Sequence, residues 1–235
     1  TVELRRIRFH WATLKEILRY GLPSGIQNSV IAFANVLVQT QINSFGKFAT
    51  AAYGTYAKIE GFAFLPINSF TSAITTFVSQ NLGAGEHQRA KKGARFGILS
   101  AVVLAEIIGA LYYWLSPVLI GLFDSTPEVV VLGVRQAHTC ALFYCLLAFS
   151  HAVASVCRGA GKAFVPMLVM LGDWCLLRIC YILTVMRIYG EIGYIYWAYP
   201  ITWAISSVIF LLYYLFSDWV HGFDRPGQTP AESKP

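Results

Sequence analysis

Six long apolar stretches, separated by short polar or basic turns, constrain this chain more than any other feature of its sequence. A helix needs about 20 mainly apolar residues to cross a bilayer. The stretches cover 21–45, 50–82, 85–123, 129–156, 163–186 and 192–220. Charged residues make up only 13% of the 235 residues, against about 25% in soluble domains. The sequence therefore predicts an all-α polytopic membrane protein with six transmembrane helices.

The segments before and after the six spans differ from the spans in composition. Residues 1–20 mix basic and apolar side chains, which predicts an amphipathic cytoplasmic lead on the membrane surface. Pro23 suits the first turn of the first span, because the missing N–H of proline is harmless there. Residues 21–222 would form one six-span lobe, and the polar tail 223–235 is expected to be disordered and cytoplasmic.

The distribution of basic residues predicts the orientation, because cytoplasmic loops are enriched in Lys and Arg. With the amino terminus inside, the outside loops hold only Lys47 and Arg187. Both termini are therefore expected in the cytoplasm. The inside segments hold 13 of the 18 basic residues: Arg5, Arg6, Arg8, Lys15, Arg19, Arg89, Lys91, Lys92, Arg95, Arg158, Lys162, Arg225 and Lys234.

Glu60 lies within the second span and is the first candidate for a functional residue. A charge at bilayer depth costs at least roughly 2.5–3.5 kcal/mol on insertion scales, so it persists where it faces protein or water. A structural alternative is an ion pair or a snorkelling position, but Lys58, two residues away, points elsewhere on a helix. Phe64 and Thr71 share the face of Glu60 at helical spacing, and Pro66 predicts a kink.

Amide side chains follow one face of the first span. Asn28, Asn35, Gln39 and Asn43 are separated by seven, four and four residues, which places them together on a helix. Amides in hydrocarbon need partners. This face therefore either forms interhelical hydrogen bonds or lines a wet cavity, and the sequence leaves both interpretations open.

Four further polar residues lie inside spans. Glu106 is flanked by small residues that allow a close helix neighbour, and it is a lesser candidate. His151 is more typical of a structural histidine than of a proton relay. Asp173 and Arg178 are five residues apart, which places them on different faces of an α-helix. They are expected to pair with other helices or with lipid headgroups and not with each other.

The sequence lacks the motifs that are typical of several classes of function. The chain has no phosphate-binding loop with a following Lys and Ser or Thr, no HExxH and no GxSxG. The five cysteines show no metal-ligand spacing. We therefore expect no enzyme activity, no cofactor and no bound metal, and nucleic-acid binding is disfavoured because the basic residues lie between apolar segments.

Several motifs in order resemble the carboxy-terminal half of bacterial multidrug and toxic compound extrusion (MATE) transporters. The resemblance spans about residues 10–222. It rests on GLPSGIQNSVIAFANVLVQTQINSFG, on AAYGTYAKIEGFAFLPINSFTSAITTFVSQNLGAGEHQRAKKG, on CRGAGKAFVPM and on WCLLRICYI.

The resemblance implies a twelve-span exporter of two facing six-span lobes in the bacterial cytoplasmic (inner) membrane. Such a protein exchanges H⁺ or Na⁺ for organic, often cationic drugs. The partners implied are an amino-terminal lobe or a second copy, small organic cations and membrane lipids. This sequence has Ile31 and Leu147 near the positions where sodium-coupled members carry acids. Members with IEGF carry the acid in the second span, here Glu60.

The resemblance and the polar pattern together assign candidate roles. Glu60 is the expected site of cation or proton coupling. The expected substrate-cavity residues are Asn28, Asn35, Gln39, Phe64 and Thr71. Two alternatives stay open: a lipid-linked oligosaccharide flippase of related fold, which would favour a more cationic cavity, and a non-transporting membrane assembly protein.

Overall fold

The computed structural model describes residues 10–221, and within that range every regular element is helical. A 3₁₀ turn, Ala141–Phe143, joins α4 to α5, and a π-helical turn, Leu171–Leu177, joins α6 to α7. The predicted tail and the first nine residues of the predicted lead lie outside the described residues. The helices are α1 Trp11–Asn43, α2 Lys47–Gly83, α3 His87–Phe123, α4 Pro127–Cys140, α5 Tyr144–Gly159, α6 Phe164–Met170, α7 Arg178–Ile188 and α8 Ile192–Phe216.

Five helical segments among the described residues are long and apolar enough to cross a membrane. They are α2, α3, the α4–α5 segment Pro127–Gly159, the α6–α7 segment Phe164–Ile188, and α8. At 33 residues, α1 is also long enough, but its amides make it more polar. The predicted all-α membrane fold is confirmed, with five clear spans and one polar helix of spanning length.

The start of α1 differs from the sequence-based expectation. The helix runs without a break from Trp11 through Pro23, so the prediction that Pro23 lies in the first helical turn is wrong. The ring of an interior proline removes one backbone hydrogen bond, and the remaining bonds of this 33-residue helix maintain it on both sides. The described part of the predicted lead therefore continues directly into the first span.

Two glycine turns of the sequence have the same local structure. After α2, the N–H of Glu86 donates to the Asn81 carbonyl (2.8 Å), and after α5 the N–H of Lys162 donates to the Cys157 carbonyl (2.8 Å). Gly85 and Gly161 precede these donors with φ of 77° and 75°. This is the glycine-terminated helix end in which a left-handed residue lets the next amide reach back. The motifs NLGAG and RGAGK are thus sharp helix stops.

The second predicted span is the centre of the fold, because α2 packs against α3, α4 and α5. One core cluster surrounds Tyr56, Tyr144 and Trp203 and connects α2 to α5 and α8. A second cluster around Val78 and Val153 lies toward the other end of the same helices. Both clusters join residues far apart in sequence, so the lobe is one packed unit.

Gly109 sets the distance between α3 and the 3₁₀ turn. A Cβ added at Gly109 would overlap the backbone carbonyl oxygen of Ala141, whereas a Cβ at Gly121 on the same helix would meet nothing within 4 Å. We expect Gly109→Ala to lower the thermal unfolding midpoint in detergent, since overpacking against rigid backbone costs about 1–3 kcal/mol. Gly121→Ala is the matched control and should leave the midpoint unchanged or raise it. Equal midpoints for the two variants would contradict this packing.

Candidate functional site

Glu60 lies in a cluster of tyrosines at the junction of α2 and α5. Its Oε1 accepts hydrogen bonds from the hydroxyls of Tyr56 (2.6 Å) and Tyr144 (3.3 Å). Within residues 10–221 no group donates to Oε2. Lys58 is exposed and forms no ion pair with Glu60, in agreement with the prediction that the two side chains point in different directions. Glu60 therefore has one oxygen held by two phenols and a second oxygen available to a proton or cation.

Aromatic rings close one side of this site. Tyr112 stacks with Tyr144 at a centroid distance of 6.3 Å and lies 6.0 Å from the ring of Tyr56. Trp203 of α8 meets Tyr144 edge-on at 5.9 Å. These side chains are buried, so they exclude water from that side of Glu60. Hydrogen bonds to a charged group are stronger in such a low-dielectric setting than in water.

Arg178 is the cation of this region, and only 1% of its surface is exposed. It donates from Nη2 to the Thr202 hydroxyl (2.7 Å) and lies over the rings of Trp174 and Tyr199, 5.0 and 4.6 Å from their centroids. The Tyr199 hydroxyl is in turn 2.7 Å from that of Tyr53 on α2. In the described part of the chain no carboxylate lies within ion-pairing distance of Arg178. Cation–π contacts thus replace a counter-ion.

The π-helical turn corrects one expectation about Asp173 and Arg178. The segment that holds Asp173 is π-helical up to Leu177, so the α-helical period from which different faces were predicted does not apply. Both side chains are buried. In a π-helix the backbone hydrogen bond runs from residue i to i+5, so five residues make about one turn. The predicted partner on another helix is confirmed for Arg178, whose partner Thr202 lies on α8. Both carboxylate oxygens of Asp173 are buried without a hydrogen-bond partner among the described residues.

Glu106 has a structural contact. Its Oε2 accepts a hydrogen bond from the backbone N–H of Cys145 (3.2 Å), one of the first amides of α5, which have no partner within their own helix. The predicted close helix neighbour is present, because α3 meets the 3₁₀ turn at Gly109. Glu106 therefore stabilises the start of α5.

His151, on α5, lies between an aromatic ring of α2 and one of the π-helical turn. It meets Phe64 edge-on at 6.3 Å and Trp174 at 5.3 Å. Its Nε2 is buried and has no hydrogen-bond partner in the described range. Phe64 thus packs against α5 near the level of Glu60, one helical turn away along α2.

Thr71 lies in the packed interior, with 9% of its surface exposed. Its hydroxyl donates to the Asn68 carbonyl (2.8 Å), one turn back on the same helix. Thr71 therefore lies deeper in the lobe than a cavity-lining residue is expected to lie. Its proposed contact with substrate stays a prediction.

The amide face of α1 is largely open. Asn28 and Asn35 are exposed, and Gln39 donates to Asn43 (2.8 Å) on the same helix. Gln27, which the sequence reasoning did not single out, is the buried amide of α1 and donates to Met170 Sδ (2.7 Å). Interhelical bonds come from Gln27 and from Asn43, which accepts from the Thr50 hydroxyl of α2 (3.1 Å). The exposed Asn28 and Asn35 favour the cavity interpretation.

A second polar stripe was missed by the sequence reasoning. Asn68, Ser72, Thr76 and Gln80 follow one another at four-residue spacing along α2, and all are exposed. That spacing is a recognisable signal of one helical face. In a membrane-spanning helix such a face requires water or protein. The stripe and the amides of α1 are therefore two open polar surfaces of the lobe.

The described residues contain no group of three or more His, Cys, Asp or Glu side chains placed to hold a metal ion. A single carboxylate beside phenol hydroxyls instead suits a proton or a weakly held monovalent cation. The site combines a partly buried acid, neighbouring aromatic rings and open amide surfaces within a membrane-spanning helical lobe.

Comparison with known proteins identifies the family. The family model described as MatE matches residues 23–184, more than half of the chain. The chain belongs to the MATE family. It is therefore a multi-pass membrane protein of a transporter family, and the resemblance seen in its sequence is confirmed.

Individual relatives agree with this assignment. The probable multidrug resistance protein YoeA of Bacillus subtilis is 25% identical over 205 residues, covering 85% of this chain and 43% of YoeA. The probable multidrug resistance protein NorM of Thermotoga maritima is 27% identical over 164 residues, covering 68% of this chain and 34% of NorM. A protein of Shewanella oneidensis named as an FAD transporter is 25% identical over 128 residues, covering 54% of this chain and 28% of that protein.

Solved structures share the fold. The MATE transporter ClbM in complex with Rb⁺ superimposes with a TM-score of 0.82 at 20% identity, over 90% of this chain and 50% of ClbM. The chain thus spans about half the length of this structure and less than half of the relatives above.

Proposed function

We propose that this chain acts as the carboxy-terminal lobe of a cation-coupled antiporter that exports organic, often cationic compounds. The observation that carries the proposal is Glu60, an acid within a spanning helix whose Oε1 is held by Tyr56 and Tyr144. Intramembrane acids of this kind mark ion pathways in transporters. We infer export activity from the MATE relatives, and we infer coupling to an ion from the position of Glu60.

Glu60 couples ion binding to helix packing through its tyrosines. Tyr144 begins α5 and Glu60 lies on α2, so their hydrogen bond (3.3 Å) joins two helices. A hydrogen bond to a carboxylate is roughly twice as strong as one between neutral groups. Binding of H⁺ or Na⁺ at Glu60 removes its net charge and weakens this link. The change in α2 packing then alters how Asn28, Asn35 and Gln39 contact the substrate.

The open polar surfaces form this lobe's wall of the transport cavity. Asn28 and Asn35 on α1 are exposed, as are Ser72 and Thr76 on α2. Amides and hydroxyls provide hydrogen bonds without fixed charge, which suits a variable set of organic substrates. The second lobe, from the same full-length chain or from a second copy, forms the opposite wall. In this proposal both termini of the lobe lie in the cytoplasm, because most basic residues are on that side, and the protein lies in the bacterial inner membrane.

Efflux of a fluorescent cationic dye tests the proposal. Cells make this chain alone, or this chain with an amino-terminal MATE lobe, and proton and sodium gradients are imposed separately. We expect export only from the paired lobes, driven by one of the two gradients. An anionic dye is the comparison substrate, because one relative is named as an FAD transporter.

The outcomes separate the competing functions. Export by the pair that follows neither gradient would overturn ion coupling. Absence of export by folded, membrane-inserted pairs would overturn the transport function and favour an assembly role. Export of the anionic dye alone would overturn the proposed cationic substrate class.

A further inference from the structure

A large groove lies between α2 and α3, away from the cluster around Glu60. Its volume is about 770 Å³. Phe70, Ala73 and Phe77 of α2 and Phe96 of α3 line its apolar body. The groove is open on one side, and 74% of the surface of Phe96 is exposed. It therefore lies on an outer surface of the described lobe.

Two glycines of α3 allow the side chains of α2 that line the groove to lie close to α3. A Cβ added at Gly93 would overlap the ring of Phe77, and a Cβ added at Gly97 would come within 2.7 Å of Ile74 Cγ1. Only residues without a side chain allow these large α2 side chains to lie against α3. Phe77 and Ile74 therefore lie directly against the α3 backbone, and both line the groove.

One end of the groove is cationic. Arg89 and Lys92, in the first turns of α3, line it together with Glu86. The Arg89 guanidinium lies 6.0 Å from the centroid of Phe77, so the charge is placed directly at the apolar body. Neither cation forms an ion pair with a described carboxylate. Two cations against one acid give this end a net positive charge.

The order of charge and apolar surface matches the bilayer. The cations are at the start of a 37-residue membrane-spanning helix, where headgroups lie. The exposed apolar residues Phe96, Leu99 and Val103 follow along α3, where acyl chains lie. A phospholipid has the same order, with a phosphate next to its hydrocarbon chains. Basic residues near the membrane surface favour anionic headgroups by about 1 kcal/mol each.

We propose that this groove binds an anionic phospholipid, with its phosphate at Arg89 and Lys92 and one acyl chain along Phe70, Ala73 and Phe77. The lipid stabilises the contact between α2 and α3 by packing against side chains of both helices that line the groove. This binding is independent of substrate transport, because the groove does not include Glu60 or the amides of α1.

Native mass spectrometry of the purified protein, titrated with phosphatidylglycerol or phosphatidylcholine, tests the charge requirement. We expect wild type to retain phosphatidylglycerol preferentially. The double variant Arg89→Gln/Lys92→Gln should lose about thirtyfold in affinity for phosphatidylglycerol and little for phosphatidylcholine. Lys47→Gln/Arg187→Gln is the matched control, since it removes two exposed cations outside the groove, and it should retain the preference.

A second variant tests the groove without changing its charge. Ala73 is exposed, so Ala73→Trp should fold while filling the space of the acyl chain, and it should reduce binding of phosphatidylglycerol. A preference for phosphatidylglycerol that survives both variants would overturn the proposal. A photocrosslinking residue at Phe96 that captures protein rather than lipid would also overturn it, because the groove would then be a protein interface.

Discussion

Glu60→Gln is expected to abolish ion-driven dye export while the protein is made and inserted at wild-type levels. The amide has nearly the same shape and keeps an oxygen that can accept from Tyr56 and Tyr144, the two hydroxyls that hold Oε1. It cannot change its charge, so binding of H⁺ or Na⁺ no longer alters the link between α2 and α5. The measurement is the initial rate of dye efflux under an imposed gradient, with the amount of membrane-inserted protein determined in the same cells.

Glu128→Gln is the matched control for this prediction. Glu128 is exposed in the first turn of α4, so the same loss of a carboxylate there should leave efflux unchanged. Gradient-driven efflux by Glu60→Gln at the wild-type rate would show that Glu60 is not the coupling group. Loss of efflux in both variants would mean that the effect is not specific to Glu60.

Arg178→Ala is expected to have the largest effect on stability. The substitution removes a hydrogen bond to Thr202 and the two stacking contacts with Trp174 and Tyr199, and it leaves a cavity at a fully buried position. Cation–π contacts in a desolvated setting contribute about 2 kcal/mol or more, so we expect a loss of about 3 kcal/mol in unfolding free energy. The measurement is the thermal unfolding midpoint of the purified protein in detergent.

A second substitution separates the contribution of the guanidinium geometry to stability from the contribution of its charge. Arg178→Lys keeps a positive charge but loses the planar group that stacks between two rings, so its unfolding midpoint should fall between those of wild type and Arg178→Ala. Arg187→Ala is the control, because Arg187 is exposed on the same helix and its loss should leave the midpoint unchanged. If Arg178→Ala and wild type had the same unfolding midpoint, the stabilising role of the contacts with Trp174 and Tyr199 would be contradicted.

These two residues differ in how far their roles follow from sequence. Glu60 is identifiable from its position in a long apolar segment, because a charge there requires a protein or water partner. Its actual partners are not identifiable that way, since Tyr144 is 84 residues from Glu60. Arg178 shows the same limit. Its charge in a span is visible in the sequence, whereas the two rings that hold it depend on the π-helical turn and on the packing of α8 against α7.

Local rules account for the features that the sequence determined by itself. Hydropathy and the 3.6-residue period determined the approximate extents of the five spans after the first, the shared face of Asn28 and Asn35, and the close neighbour expected beside Glu106. Each of these depends on residues within a few turns of one helix. Glycine stops such as Gly85 and Gly161 are equally local, because one left-handed residue ends a helix.

Only the tertiary structure decided which polar residues are buried and which are open. Gln27 is buried and Asn28 is exposed, although they are adjacent and chemically alike, because neighbouring residues on a helix point about 100° apart and α6 covers only one of them. The different faces predicted for Asp173 and Arg178 do not apply, because a π-helical turn changes the period from which they were inferred. Sequence periodicity gives the relative direction of side chains on one helix, and the packing of the other helices decides what each direction meets.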